Sequence, residues 1–113
     1  MKTYKDLIVW QKSILLAQEI YSLTEKFPKE EIFGLTSQMR RSAVSIPSNI
    51  AEGKMRGSAA EFKRFLSIAF ASGAELETQI LISKKLPKTE KLNYNVSDSL
   101  LEEVMKMLNK LTA

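Results

Sequence analysis

The chain has 113 residues, 44% of them hydrophobic, which suits one folded domain with a modest core and is unlike a disordered segment. It contains no cysteine and no histidine, so disulfides, thiolate chemistry, the usual general base and the commonest metal ligands are all missing. The net charge of +4 is concentrated: residues 1–35 and 65–113 are each balanced, whereas residues 36–64 set Arg40, Arg41, Lys54, Arg56, Lys63 and Arg64 against only Glu52 and Glu61.

In chain order, Met1 to Asp6 is polar and carries no signal-peptide block. Leu7, Trp10, Ile14, Ala17 and Tyr21 then step by three and four, the spacing of one helix face. Ile8, Leu15 and Ile20 widen that surface. A first helix is expected from about Lys5 to Glu25. Phe27 precedes Pro28, is pushed away from helical angles and so ends it. Lys29 to Leu35 reads as a loop or short turn, with Gly34 as a break.

A second helix is expected from about Thr36 to between Gly53 and Gly57, buried through Met39, Ala43, Ile46 and Ile50. That phase continues across Pro47, which removes a backbone donor and crowds the preceding turn. The expectation is one helix kinked near Val44–Pro47; the alternative is two short helices with Pro47 opening the second. Ser45, Ser48 and Asn49 are placed to satisfy the backbone groups freed there, with a ligand site as the lesser option.

Ser58-Ala59-Ala60-Glu61 is a capping box, opening a third helix from about Ala59 to Lys85. Its apolar side is Phe62, Phe65, Leu66, Ala69, Leu76, Ile80 and Leu86, and Phe70, Leu81 and Ile82 extend apolar surface around it. Gly73 lies in a run of small side chains that lets another helix approach closely. Leu86-Pro87 stops this helix, and Lys88 to Val96 is a polar connector. A fourth helix, capped by Ser97 or Ser99, is expected from about Asp98 to Leu111. It buries Leu100, Leu101, Val104, Met107, Leu108 and Leu111. With no sustained strand alternation, the fold class is all-α: an antiparallel, up-and-down four-helix bundle formed by one domain over residues 1–113.

Little in the sequence supports catalysis. The glycines are scattered rather than grouped in a phosphate-binding loop, and Glu52, Glu61, Glu75 and Glu77 form no carboxylate pair by spacing alone. No metal or cofactor is expected. Trp10 reads as a core or interface anchor, and Leu81 and Ile82 hint at self-association. The longest apolar runs fall far short of a membrane span, so a cytoplasmic protein with no membrane association is expected. The basic segment is either a solvated helix surface or a phosphate-facing patch.

Several blocks also resemble a known family. Tyr4-Lys5-Asp6-Leu7-Ile8-Val9-Trp10-Gln11-Lys12 is similar to the opening of the four-helix proteins encoded in intervening sequences of bacterial 23S ribosomal RNA genes. Phe33-Gly34-Leu35-Thr36-Ser37-Gln38-Met39-Arg40-Arg41-Ser42-Ala43 and Val44-Ser45-Ile46-Pro47-Ser48-Asn49-Ile50-Ala51-Glu52-Gly53 resemble its central blocks. Glu61-Phe62-Lys63-Arg64-Phe65-Leu66 and Glu75-Leu76-Glu77-Thr78-Gln79 follow in the family's order. The resemblance runs from about residue 4 to residue 86, and beyond Lys88 it is only helical.

The resemblance implies a four-helix bundle assembled as a ring-like homopentamer. It also implies kinship with the accessory variability proteins of diversity-generating retroelements, whose basic barrel binds nucleic acid and a reverse transcriptase. The family's basic stretch corresponds here to Arg40, Arg41, Lys54, Arg56, Lys63 and Arg64. The expected function is therefore non-catalytic: an oligomer that binds nucleic acid, structured RNA first, through a basic patch on the second and third helices. Arg41, Lys54, Arg56 and Lys63 are expected to be more exposed than Arg40, with one of Arg40 and Arg41 paired to Glu52 or Glu61. Two rivals remain: a protein-interaction module in which the patch is incidental, and an enzyme using carboxylates, which would need at least two acidic residues converging in a cleft.

Overall fold

A computed structural model describes residues 3–113; Met1 and Lys2 of the polar N-terminal stretch lie outside the described residues. Four helices are present: α1 (Ile8–Thr24), α2 (Ser37–Met55), α3 (Ala59–Ser83) and α4 (Asn95–Thr112). Each packs on its neighbours in chain order and α4 closes back on α1. The result is an up-and-down bundle of 45 × 24 × 21 Å.

Thr3 opens the described chain with a cap: its hydroxyl accepts the Lys5 amide, and the Asp6 carboxylate accepts the Thr3 amide. A single 3₁₀ turn follows over Tyr4–Asp6, and α1 begins only at Ile8. The predicted stripe of α1 is not its buried face. Val9, Ser13, Leu16, Ile20, Leu23 and Thr24 face the core, while Trp10, Ile14 and Ala17 are half-buried and Tyr21 is 43% exposed. Two stripes, offset by one or two residues, share the same three-and-four spacing. The buried one was obscured by its polar members, Ser13 and Thr24, whose hydroxyls donate back to the carbonyls of Trp10 and Ile20 and so enter the core satisfied. Trp10 instead meets Tyr4 edge to face, with centroids 5.4 Å apart.

A 3₁₀ turn (Lys29–Glu31) and a π-type turn (Ile32–Thr36) join α1 to α2, with Gly34 off helical angles as the break. In α2 the predicted core holds completely: Met39, Ala43, Ile46 and Ile50 are fully buried. Pro47 sits inside one continuous helix rather than opening a second. The Asn49 amide donates to the Ser45 carbonyl (2.8 Å) and hydroxyl (2.9 Å) in the turn spanning Pro47. The Ser45 hydroxyl in turn meets that of Ser72 on α3 at 2.8 Å, so the polar cluster joins two helices.

Gly57, at φ +81°, makes the tight reversal into α3. The Ser58 hydroxyl accepts the Glu61 amide at 3.1 Å, as a cap requires. The reciprocal half of the expected box is absent, because the Glu61 carboxylate turns to Arg64. Phe65, Leu66, Ala69, Leu76 and Ile80 of α3 are buried, while Leu81 and Ile82 remain 50% and 46% exposed. By length and composition α3 is apolar enough to cross a membrane, with mean hydropathy 1.3 over its best window. Within the bundle it serves as a core helix against α2 and α4.

The fourth helix starts at Asn95, before either predicted capping serine. Ser97 is buried and donates to the Tyr94 carbonyl, so it stitches the first turn instead of capping it. The connector is organised by Tyr94, whose hydroxyl donates to the Thr89 carbonyl at 2.8 Å, and by Thr89, which donates to the Ser83 carbonyl at 2.7 Å. Leu101, Val104 and Leu108 are buried as expected, whereas Leu111 is 47% exposed.

Candidate nucleic-acid interface

The six predicted basic residues divide into two groups. Arg40 and Arg41 lie near the start of α2, and Lys54 and Arg56 lie at its end. Fifteen residues of helix separate Arg41 from Arg56, about 22 Å along the axis. The reversal at Gly57 then brings Lys63 and Arg64, in the opening turns of α3, to the same end of the bundle as Lys54 and Arg56.

This second group has a defined internal geometry. The Arg56 and Arg64 guanidinium carbons lie 5.0 and 4.6 Å from the centroid of the Phe65 ring, and the Lys54 ammonium lies 5.3 Å from that of Phe62. Each such contact contributes roughly 0.5–1 kcal/mol at exposed sites. Two carboxylates sit among the cations. Glu52 accepts from Arg56 at 3.0 Å, and Glu61 accepts from Arg64 at 2.8 Å with Arg56 at 3.8 Å. The hydrogen bond from Arg64 holds the Glu61 carboxyl below its ordinary pKa, and the same bond raises that of Arg64. Arg56 and Arg64 are thus fixed in place but partly neutralised. Among the described residues, no Asp or Glu side chain lies within ion-pairing distance of Lys54 or Lys63; Lys63 donates to the backbone oxygen of Ala113 at 3.4 Å.

The two arginines at the other end behave differently. Arg41 is exposed. Arg40 is half-buried: its Nε donates to the Thr24 hydroxyl at 2.9 Å, its terminal nitrogen to the Tyr21 carbonyl at 3.4 Å, and its guanidinium lies 4.5 Å from the Tyr21 ring centroid. Arg40 is more protected than Arg41, Lys54, Arg56 and Lys63, as expected, but its partners are on α1. Neither Arg40 nor Arg41 pairs with Glu52 or Glu61, because Glu52 stands near the far end of α2 and Glu61 beside it in the first turn of α3.

The acidic side chains are engaged as follows. Glu52 and Glu61 meet only on the Arg56 guanidinium, and Glu75 accepts from the Ser42 hydroxyl at 2.8 Å. A 610 Å³ groove between α3 and α4 contains Glu77, Asp98 and Glu102. There Lys84 pairs with Asp98 and Lys106 with Glu102. Among the described residues, no cluster of three or more acidic side chains is arranged to hold a metal ion. A second, 460 Å³ cavity lies between α2 and α3, with Phe33, Arg41, Glu75 and Gln79 in its walls. Phe33 had no reading of its own from the residues; its only signal was an aromatic side chain beside a helix-breaking glycine.

Similarity to known proteins follows the fold. A solved structure of a protein of unknown function from the S23 ribosomal protein family of Bacteroides thetaiotaomicron superposes with a TM-score of 0.75 at 26% identity, covering 93% of this chain and 98% of that one. No curated protein matches the chain significantly. The family model described as 23S rRNA-intervening sequence protein matches residues 5–110. That match reaches well into α4, past the Lys88 limit of the sequence resemblance, and the chain belongs to the 23S rRNA-intervening sequence protein family.

Proposed function

We propose that this protein is a non-catalytic, cytoplasmic nucleic-acid-binding protein that contacts phosphates with the basic end of its α2–α3 hairpin. The observation that carries this is the gathering of exposed Lys54, Arg56 and Arg64 around the aromatic rings of Phe62 and Phe65, with exposed Lys63 in the same stretch of α3. Aromatic support and Glu61 hold two guanidiniums in place before any ligand arrives, which lowers the ordering entropy lost on binding. Such contacts release counterions and give affinity with little sequence readout. The family's name points to ribosomal RNA as the first nucleic acid to test.

The outward side of α3 supports self-association. Ile68, Leu81 and Ile82 are 38%, 50% and 46% exposed along a helix whose intervening outward residues include Ala71 and Ala74. A ring of identical chains, a homopentamer by family resemblance, would repeat the basic cluster and add avidity. Light scattering at micromolar concentration is expected to give a multiple of the 12.8 kDa chain mass; the monomer mass would refute assembly.

The decisive experiment is fluorescence anisotropy of a labelled structured RNA and a matched DNA duplex at low and moderate salt. Wild type is compared with a variant carrying Lys54, Arg56, Lys63 and Arg64 changed to Ala. Strong salt-dependent binding that the variant loses supports the proposal. No binding by a folded wild type at low salt would reject it and favour a protein partner.

A further inference from the structure

At the opposite end of α2 from the basic cluster, one side chain lacks a packing partner that its size demands. Phe33 is 96% exposed, the most exposed large hydrophobic residue among those described. It is held out by an ordered turn: the Glu31 carboxylate accepts the Leu35 amide at 3.2 Å, and Thr36 is buried beneath. The ring is therefore free to take up a flat partner, whose contact would remove its apolar surface from water.

Phe33 forms one wall of the 460 Å³ cavity, a volume within the range of about 300–1,000 Å³ typical of small-ligand sites. Gln38 and Arg41 of α2 and Glu75 and Gln79 of α3 form other walls. The lining mixes donors and acceptors, with Ser37 and Ser42 completing it, and Glu75 is its one acceptor-only side chain. Glu75 uses one carboxylate oxygen to accept from Ser42. Gln79 is only 7% exposed, and its amide oxygen has no hydrogen-bond partner, an arrangement that leaves a buried acceptor's desolvation uncompensated. Arg41 supplies an exposed cation at the rim.

An exposed aromatic face, a carboxylate in the cavity wall, the unsatisfied Gln79 amide oxygen and a cation at the rim together fit a nucleobase with neighbouring donors and an attached phosphate. We propose that this cavity receives a single unpaired guanine of a nucleic-acid strand. The base stacks on Phe33, its adjacent N1–H and N2–H donors face the Glu75 carboxylate, and a flanking phosphate pairs with Arg41. Guanine is the base that presents two neighbouring donors on its pairing edge, the complement of a carboxylate. Unpaired bases splayed onto aromatic side chains are the usual way a protein reads single-stranded RNA. The inference rests on the nucleic-acid role proposed above and adds single-strand and base selectivity to it.

The test uses the full chain and three labelled RNAs: a 12-nucleotide oligouridine, the same strand with one central guanosine, and a blunt duplex of the same length. Wild type is expected to bind the guanosine strand more tightly than the oligouridine. Phe33→Ala weakens that binding about tenfold, the scale of one lost stacking contact, without altering the salt slope or the duplex affinity. Glu75→Gln removes the guanosine preference. If Phe33→Ala binds all three RNAs as wild type does, while salt-dependent binding persists, the base site is refuted and the phosphate-binding role stands. If wild type binds no RNA, both fail. If Phe33→Ala lowers the oligomer mass and leaves RNA binding intact, Phe33 covers a contact between copies and the base site is refuted.

Discussion

Gly53 and Phe65 touch across the α2–α3 hairpin so closely that a β-carbon on Gly53 would stand 2.5 Å from that of Phe65. Phe65 is the ring on which Arg56 and Arg64 rest, so the absence of a side chain at Gly53 sets the platform under the basic cluster. Gly53→Ala is expected to force the helices apart at a cost of about 1–3 kcal/mol, the scale of overpacking. A denaturant midpoint unchanged from wild type would contradict this contact.

The turn glycine is constrained by its backbone instead. Gly57 has open space around it but a φ of +81°. Gly57→Ala is therefore expected to cost about 1–2 kcal/mol through the left-handed penalty. Gly57→Asn, which tolerates that region, recovers much of the loss in the same denaturation assay.

Gly73 faces Met105 of α4, where an added β-carbon would collide with the thioether sulfur. Because that sulfur is near the end of a flexible side chain, Gly73→Ala is expected to be milder than Gly53→Ala. Gly73→Ala combined with Met105→Ala should be more stable than the sum of the single changes, by roughly 0.5–3 kcal/mol. Strict additivity would place the two side chains out of contact.

Arg40 and the outer cations should separate in their phenotypes. Arg40→Ala removes hydrogen bonds to Thr24 and Tyr21 and the contact with the Tyr21 ring. It is expected to lower stability by about 1–2 kcal/mol while leaving the salt dependence of RNA binding unchanged. Lys63→Ala should do the reverse, with little change in stability and a salt slope shallower by about one. A reduced slope in Arg40→Ala would place Arg40 on the nucleic acid.

Glu61 gives a pH signature. Its folded pKa is lowered, chiefly by the hydrogen bond from Arg64. Its contribution to stability is therefore present above the unfolded carboxylate pKa and is lost as pH falls through the folded value. Glu30, lowered by its hydrogen bond from Lys88, acts in the same direction. Glu61→Gln should flatten the acid limb of a stability–pH curve and also strengthen RNA binding at neutral pH by removing a negative charge from the cluster. Unchanged affinity would mean the RNA does not approach Glu61.

The helices were legible because local chemistry dictates them. Helices α1 and α3 end just before Phe27-Pro28 and Leu86-Pro87, and Ser58 caps α3 through one bond to a residue three positions on. The core face of α2 was equally legible, since Met39, Ala43, Ile46 and Ile50 carry no competing stripe. The charge asymmetry of residues 36–64 was also a property of the chain alone.

Tertiary structure decided which of two equally spaced stripes of α1 is buried, because Ser13 and Thr24 can be recognised as core residues only once their carbonyl partners are formed. It also divided the basic segment, sending Arg40 to α1 and folding Lys63 and Arg64 back beside Arg56. Helical spacing fixes where a charge points on its own helix; what neutralises it is set by side chains far away in sequence. The sequence alone therefore determined the bundle, and only the packing of α1 and α3 against α2 determined which cations are left exposed.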